Sequence, residues 1–287
     1  MTYRGRFAPS PTGLLHFGSL VAAVGSWLCA RRAGGQWLLR VEDIDPPREV
    51  PGSAQAILAA LPAFGLVADE PPLFQSRRRA AYDEAFEHLR AADRVFPCWC
   101  SRTQLAEAGG IHRGGHCIAA PDPRRPPAWR LRMPDTVVAF DDALQGPQRQ
   151  NLGEEAGDVV VRRVEGYYAY QLACVVDDAF QGITEVVRGT DLLDSTPRQI
   201  WLQRCLGLPT PAYRHLPLAL DAQGHKLSKS ERAHPVDPAD PLPALRRALA
   251  FLDVQTSAVA ASPQAVLDSA LERFDPARLP RLAAREA

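Results

Sequence analysis

Lysine is almost missing from this chain. Of 33 basic residues only Lys226 and Lys229 are lysines; every other one is arginine. An ammonium is a compact point charge and a guanidinium a planar fork, so two lysines this close together mark a place where the compact cation is wanted. Net charge is missing as well, 33 basic residues cancelling 33 acidic ones. That excludes a dedicated nucleic-acid coat, which would be basic throughout, and leaves only local patches at Arg77-Arg78-Arg79, Arg124-Arg125 and Arg162-Arg163. No apolar run reaches the length of a membrane span. Arg4 and Arg6, followed by prolines, do not read as an export signal. A cytoplasmic location without membrane partners is expected. A disulfide framework is not expected: Cys29, Cys174 and Cys205 sit in apolar, helix-like surroundings, as free buried thiols do. The G-x-x-x-x-G-K-[ST] pattern does not occur, which excludes kinases and GTPases of the P-loop type.

What is present centres on Arg6 to Ser19. Tyr3 to Ala8 can be a strand, Pro9 and Pro11 remove backbone donors and hold the chain extended, and Gly13 relaxes it. From Leu15 to Arg32 apolar residues recur at helical spacing. A loop feeding a helix N-terminus offers free N–H groups and a positive dipole end to a phosphate, and His16, Gly18 and Ser19 stand at that entrance. Alone, the stretch reads first as an ordinary strand-to-helix turn with His16 and Ser19 as caps.

A second strand, Gln36 to Glu42, ends in the carboxylates Glu42-Asp43-Ile44-Asp45. Helices follow at Ser53–Phe64 and Arg78–Ala92. Strand alternating with helix predicts an α/β fold, a parallel sheet with crossover helices. The texture changes near residue 95. Cys98-Trp99-Cys100, paired glycines, a proline run from Pro121 and short alternating segments at 128–132, 136–140 and 158–162 predict a small β-rich insertion over 96–165. The α/β texture resumes over 166–235, with a helix start at Tyr167–Ala173, a strand at 183–189, a helix at 197–206 and a strand at 215–220. Residues 236–287 hold helices at 242–252 and 263–271, and the alanine- and proline-rich tail after Phe274 has the composition of a partly disordered segment. The strand at 215–220 runs into Lys226-Leu227-Ser228-Lys229-Ser230. Both this loop and the Pro9–Ser19 loop follow strands, so both project from one sheet edge and together could surround a triphosphate.

These motifs carry a resemblance. His16-Phe17-Gly18-Ser19 resembles the His-Ile-Gly-His signature of class I aminoacyl-tRNA synthetases, and Lys226-Leu227-Ser228-Lys229-Ser230 is similar to their Lys-Met-Ser-Lys-Ser loop. Arg6 to Gly13, Arg40 to Asp45 and Val187 to Leu193 narrow the resemblance to glutamyl-tRNA synthetases. Residues 236–287 are too few for that family's anticodon-binding domain. With Cys98-x-Cys100, this makes the chain resemble the truncated glutamyl-Q tRNA(Asp) synthetase family. The resemblance implies a Rossmann-like catalytic domain split into 1–95 and 166–235. It implies activation of glutamate by ATP without tRNA, and transfer to queuosine in tRNA(Asp). Pro9, Gly13, His16, Gly18, Ser19, Lys226, Ser228 and Lys229 are implied for ATP, with His16, Lys226 and Lys229 catalytic and Mg2+ accompanying the nucleotide. Arg6, Ser10, Glu42, Tyr170 and Arg188 are implied for glutamate. The chemistry agrees: a carboxylate suits the substrate ammonium and a bidentate guanidinium suits its side-chain carboxylate. A monomer is expected.

Cys98, Cys100, His112, His116 and Cys117 fall in one short glycine-rich window, a donor set that suits a structural tetrahedral Zn2+. The family's Tyr-x-x-x-Cys places His112 as the fourth ligand, with His116 second. Competing readings are a minimal glutamyl-tRNA synthetase charging a 3′ end, a nucleotidyltransferase adenylating a small metabolite, and a non-catalytic tRNA-binding relative.

Overall fold

The computed structural model describes residues 2–107, 109–221, 223–225 and 235–286. Strand β1 (Arg4–Phe7) leaves the sheet at Pro9, and the chain enters helix α1 (Phe17–Arg32) with His16 as N-cap. α1 is apolar nearly all round and buries Leu20, Val24, Trp27 and Leu28. It stops at Gly34, whose positive φ turns the chain back into β2 (Gln36–Val41). β2 pairs parallel with β1, Arg4 opposite Gln36 and Phe7 opposite Leu39. After α2 (Ser53–Ala60), β3 (Leu73–Phe74) adds parallel to β2, and α3 (Arg79–Ala91) follows.

The next strands divide between two sheets. β4 (Val95–Cys98), reached before the short α4 (Arg102–Glu107), pairs antiparallel with β5 (Ala128–Leu131), and β5 in turn with β8 (Val159–Arg162). Between β5 and β8, the hairpin β6 (Val137–Asp142)–β7 (Gly146–Asn151) leaves this small sheet and joins the large one. After α5 (Tyr170–Phe180), β9 (Glu185–Gly189), α6 (Thr196–Leu206) and β10 (Ala212–Leu216), that sheet has the order β7-β6-β10-β9. β10 runs parallel to both β9 and β6. β9 meets β1 through Thr184, whose N–H donates to the Arg4 carbonyl at 2.9 Å while the Arg4 N–H donates to its hydroxyl at 2.9 Å. The strands on either side of that junction are parallel, so their C-terminal ends open on one edge, where α/β sheets bind ligands.

Both sheet faces are covered. Trp37 and Leu39 enter an apolar cluster with α1, α7 (Pro241–Phe251) and α8 (Pro263–Arg273), while Leu38 enters a second with residues of α3, α5 and α6. That is the buried-on-both-sides pattern of a parallel sheet. The strand expected at 215–220 is broken at Pro217, which has no N–H for a ladder. β10 ends at Leu216 and β11 (Leu218–Leu220) begins a separate pairing. Its partner is β12 (Ala284–Glu286), parallel to β11. The tail after Phe274, expected to be partly disordered, is therefore placed by strand pairing that composition does not reveal.

Candidate active site

The C-terminal ends of β1, β2 and β9 and the N-terminus of α1 surround a cleft of about 680 Å³. Its lining includes Pro9, Ser10, Gly13, His16, Gly18 and Ser19 from the loop after β1. Arg6, Glu42, Tyr170 and Arg188 line it as well. Every described residue that the sequence assigned to ATP or glutamate thus borders one space. Lys226, Ser228 and Lys229 lie outside the described residues.

The upper part of the cleft is the helix entrance. The Ser19 N–H donates to His16 Nδ1 at 3.2 Å, and the Ser19 hydroxyl is 3.0 Å from Nε2. Ser19 thereby sets the imidazole against the first turn of α1, whose free N–H groups favour an anion. Glu42 N–H donates to the Pro9 carbonyl at 2.9 Å, tying the end of β2 to this loop.

The floor is a buried charge network. Asp178 on α5 accepts from Arg6 Nε at 3.0 Å and from Arg40 Nη1 at 2.7 Å, and Arg40 Nη2 reaches Glu42 at 3.4 Å. Burial drives the Asp178 carboxyl upward, yet the Arg40 and Arg6 guanidiniums overrule it and hold the group well below the usual carboxylate range. For Glu42 the balance reverses: burial outweighs Arg40 and Arg6 and raises it. A substrate ammonium beside Glu42 would favour its charged form. Cys174, packed against Arg40 and Asp178, is a thiol that burial pushes up to about 12, away from the thiolate form.

Arg188 is buried and held by four groups. Nη1 donates to Tyr170 Oη at 3.2 Å, Nη2 to Thr196 Oγ1 at 2.8 Å and to the Leu192 carbonyl at 3.2 Å, and Nε to His215 Nε2 at 3.0 Å. Behind it, His215 Nδ1 lies 2.6 Å from Asp142 Oδ2. Arg40, Asp178, Thr196, His215 and Asp142 were not read from the sequence as site residues. The available hints were an arginine inside an apolar strand and an aspartate inside an apolar helix.

A second cluster lies in the small sheet. The thiols of Cys98, Cys100 and Cys117 lie within 4.8 Å of one another, with 3.7 Å between the Cys100 and Cys117 sulfurs. Burial works against the Cys100 thiolate, but backbone and neighbouring thiol hydrogen bonds lower its pKa. Three convergent thiols fit a soft divalent ion such as zinc. His112, expected as the fourth ligand, is not part of this group. Its buried ring instead sets Nδ1 against Asp158 Oδ2 at 2.9 Å and lies tilted against Phe96. Asp158 itself is fixed by the N–H groups of Gly115 and Met133, while the buried His112 Nε2 has no hydrogen-bond partner among the described residues. His116 is exposed, its Nδ1 against the Gly114 carbonyl, and is likewise outside the group.

Residues 2–240 match the family described as tRNA synthetases class I (E and Q), catalytic domain. Among curated proteins, the chain is 57% identical over 290 residues to a glutamyl-Q tRNA(Asp) synthetase of Xanthomonas campestris pv. campestris, covering all of this chain and 96% of the relative. It is 54% identical over 287 residues to the protein of that name in Burkholderia mallei, covering 95% and 96% of the two. The chain belongs to the glutamyl-Q tRNA(Asp) synthetase family of class I tRNA synthetases. The synthetase is accordingly an ATP-dependent ligase. Its fold matches the glutamate–tRNA synthetase of Elizabethkingia anophelis with a TM-score of 0.81 at 28% identity, over 99% of this chain and 68% of that one. A glutamate tRNA ligase from Elizabethkingia meningosepticum, solved in complex with its amino acid, matches with a TM-score of 0.80 at 27% identity, over 99% and 67%. No helix among the described residues of the synthetase is long and apolar enough to cross a membrane.

Proposed function

We propose that this synthetase condenses L-glutamate with ATP to glutamyl-adenylate without tRNA, then transfers the glutamyl group to a ring hydroxyl of queuosine in tRNA(Asp). One observation carries the amino-acid half: Arg6, Glu42, Tyr170 and Arg188 line the same cleft as the phosphate-favouring helix entrance. Glu42 receives the α-ammonium, and Arg188 with Tyr170 the side-chain carboxylate. The α-carboxylate attacks the α-phosphorus of ATP, a P–O bond forms, and the bond to the leaving pyrophosphate breaks. The substrate supplies its own nucleophile, so the protein's work is positioning and stabilising developing charge. His16 and the α1 N-terminus hold phosphate at one end; Lys226 and Lys229, with Ser228 beside them, hold the departing pyrophosphate. Magnesium enters as the companion ion of ATP. In the second step the queuosine hydroxyl attacks the acyl carbon and AMP leaves. Full-length relatives named for this reaction support the acceptor.

Zinc, held by Cys98, Cys100 and Cys117, would tie β4 to the loop after α4 and supplies no chemistry to the cleft. The synthetase acts as a soluble cytoplasmic monomer in this reading.

ATP–pyrophosphate exchange with each amino acid and no tRNA tests the first step. Charging of tRNA(Asp) with and without queuosine tests the second. Exchange with no amino acid refutes the activity. Glutamate exchange that requires tRNA(Glu), with charging indifferent to queuosine, would instead establish a minimal glutamyl-tRNA synthetase.

A further inference from the structure

Arg188 differs from the other buried arginines of the floor. Arg6 and Arg40 share a carboxylate. Each hydrogen-bond partner of Arg188 is neutral: a phenol, an alcohol, a carbonyl and an imidazole. No carboxylate forms a salt bridge with it among the described residues, although it is only 6% exposed. A buried guanidinium without a counter-ion is costly, so its presence at the wall of a cleft needs a reason.

The reason lies one group further back. Asp142 Oδ1 accepts three backbone N–H groups, from Leu144 at 3.0 Å, Gln145 at 2.9 Å and His215 at 3.2 Å. Its Oδ2 accepts from His215 Nδ1, because a carboxylate in that setting has no proton to give. Burial holds His215 below the usual imidazole range and so keeps it neutral. With the proton on Nδ1, Nε2 is a bare acceptor, and Arg188 Nε–H, which can only donate, faces it. Both neighbours therefore demand the same tautomer. The fully buried imidazole transmits orientation from Asp142 to Arg188 while keeping the carboxylate from neutralising it.

We propose that Asp142 and His215 are positioning residues that orient Arg188 and keep it without a counter-ion, so that the side-chain carboxylate of the amino-acid substrate supplies one. This rests on the glutamate reading above and extends it. It names what makes the pocket select a charged side chain over its uncharged amide: an amide leaves the guanidinium unneutralised.

The test is the isosteric Asp142→Asn. Its amide oxygen still accepts the three backbone N–H groups, but its NH2 now donates to His215 Nδ1 and forces the proton onto Nε2, against Arg188 Nε–H. At saturating ATP in the exchange assay, KM for glutamate rises about 10–100-fold, KM for ATP stays unchanged, and the preference for glutamate over glutamine shrinks. His215→Gln retains an acceptor for Arg188 and keeps KM near wild type; His215→Leu does not. In the His215→Leu background, where no polar group links the two, Asp142→Asn adds no further loss in KM for glutamate. Independently of turnover, long-range 1H–15N NMR of labelled histidine shows a neutral His215 with its proton on Nδ1 in wild type and on Nε2 in Asp142→Asn. A wild-type Nε2–H tautomer overturns the proposal. So does an Asp142→Asn enzyme with unaltered KM for glutamate, an equal further loss in the His215→Leu background, or His215→Gln as impaired as His215→Leu. Wild type decides the substrate reading separately, since no glutamate-dependent exchange refutes that reading while the NMR measurement still judges the pair.

Discussion

Asp178→Asn should be among the most damaging single substitutions in the molecule. The Asp178 side chain is 7% exposed and bonds two guanidiniums, Arg6 at 3.0 Å and Arg40 at 2.7 Å, that are 3% and 0% exposed. An amide keeps the shape but removes the charge, and its NH2 end turns a donor toward donors. Among the described residues Glu42, 3.4 Å from Arg40, is then the carboxylate left in salt-bridge contact with that guanidinium, while Arg6 loses its own. Removing one member of a buried ion pair costs about 3–5 kcal/mol, a large part of the about 5–15 kcal/mol that holds a protein folded. With a urea m-value near 3 kcal/mol/M for a chain of this size, the midpoint should fall by about 1–2 M. Urea unfolding followed by circular dichroism reads this directly. A midpoint shift worth less than about 1 kcal/mol would show that Asp178 is not what makes the two buried arginines tolerable. The linkage sign is fixed too. Asp178 titrates below its unfolded value, so its contribution is complete above the ordinary carboxylate pKa and is lost as pH falls through and below it. Wild type should therefore lose stability on acidification more steeply than Asp178→Asn.

Other expectations follow from single features. A Cβ on Gly35 would lie 2.3 Å from the Tyr3 carbonyl oxygen, so Gly35→Ala must push β1 from β2 and lower thermal stability by a few kcal/mol, about 1–3 for overpacking of this kind; an unchanged melting temperature would contradict that contact. Lys229→Ala should cut pyrophosphate exchange by orders of magnitude while glutamate still binds by calorimetry; normal exchange would contradict its role. His215 titrates below its unfolded value, so stability is complete above about pH 6.5 and declines as pH falls from there, a decline that His215→Gln should abolish in a melting-temperature profile. Purified protein should carry one zinc by elemental analysis, lost in Cys117→Ser together with stability of the small sheet; metal-free wild type would remove the zinc reading.

The parts legible in the sequence were those encoded locally. Strand, proline loop and helix from Tyr3 to Arg32 follow from residues adjacent in the chain, and the ladder of β1 and β2 follows from their alternation with helices. Arg6, Glu42, Tyr170 and Arg188 were legible through motifs. Their partners were not, because Arg6 meets Asp178 across 172 positions and Asp142 meets His215 across 73. Nothing local marks an aspartate in an apolar helix as a counter-ion for one strand rather than another. The same limit explains His112: its spacing to Cys117 suggested a ligand, while its actual partner, Asp158, lies 46 residues away. The strand break at Pro217 was legible in principle, and the pairing of β11 with β12 was not.

The separation of Arg6 from Asp178 also sets a clock. During synthesis the chain grows N-terminal end first at about 5–20 residues per second. The 172 positions between the two residues therefore take roughly 9–34 s to make. Throughout that interval Arg6 has no Asp178 to join, and burying it without that carboxylate costs about 3–5 kcal/mol. Closure of β1, β2 and α1 into their final core is disfavoured by that amount until α5 is made. The charge network on the floor of the cleft thus makes closure of the first strands depend on a carboxylate supplied by the second half of the chain.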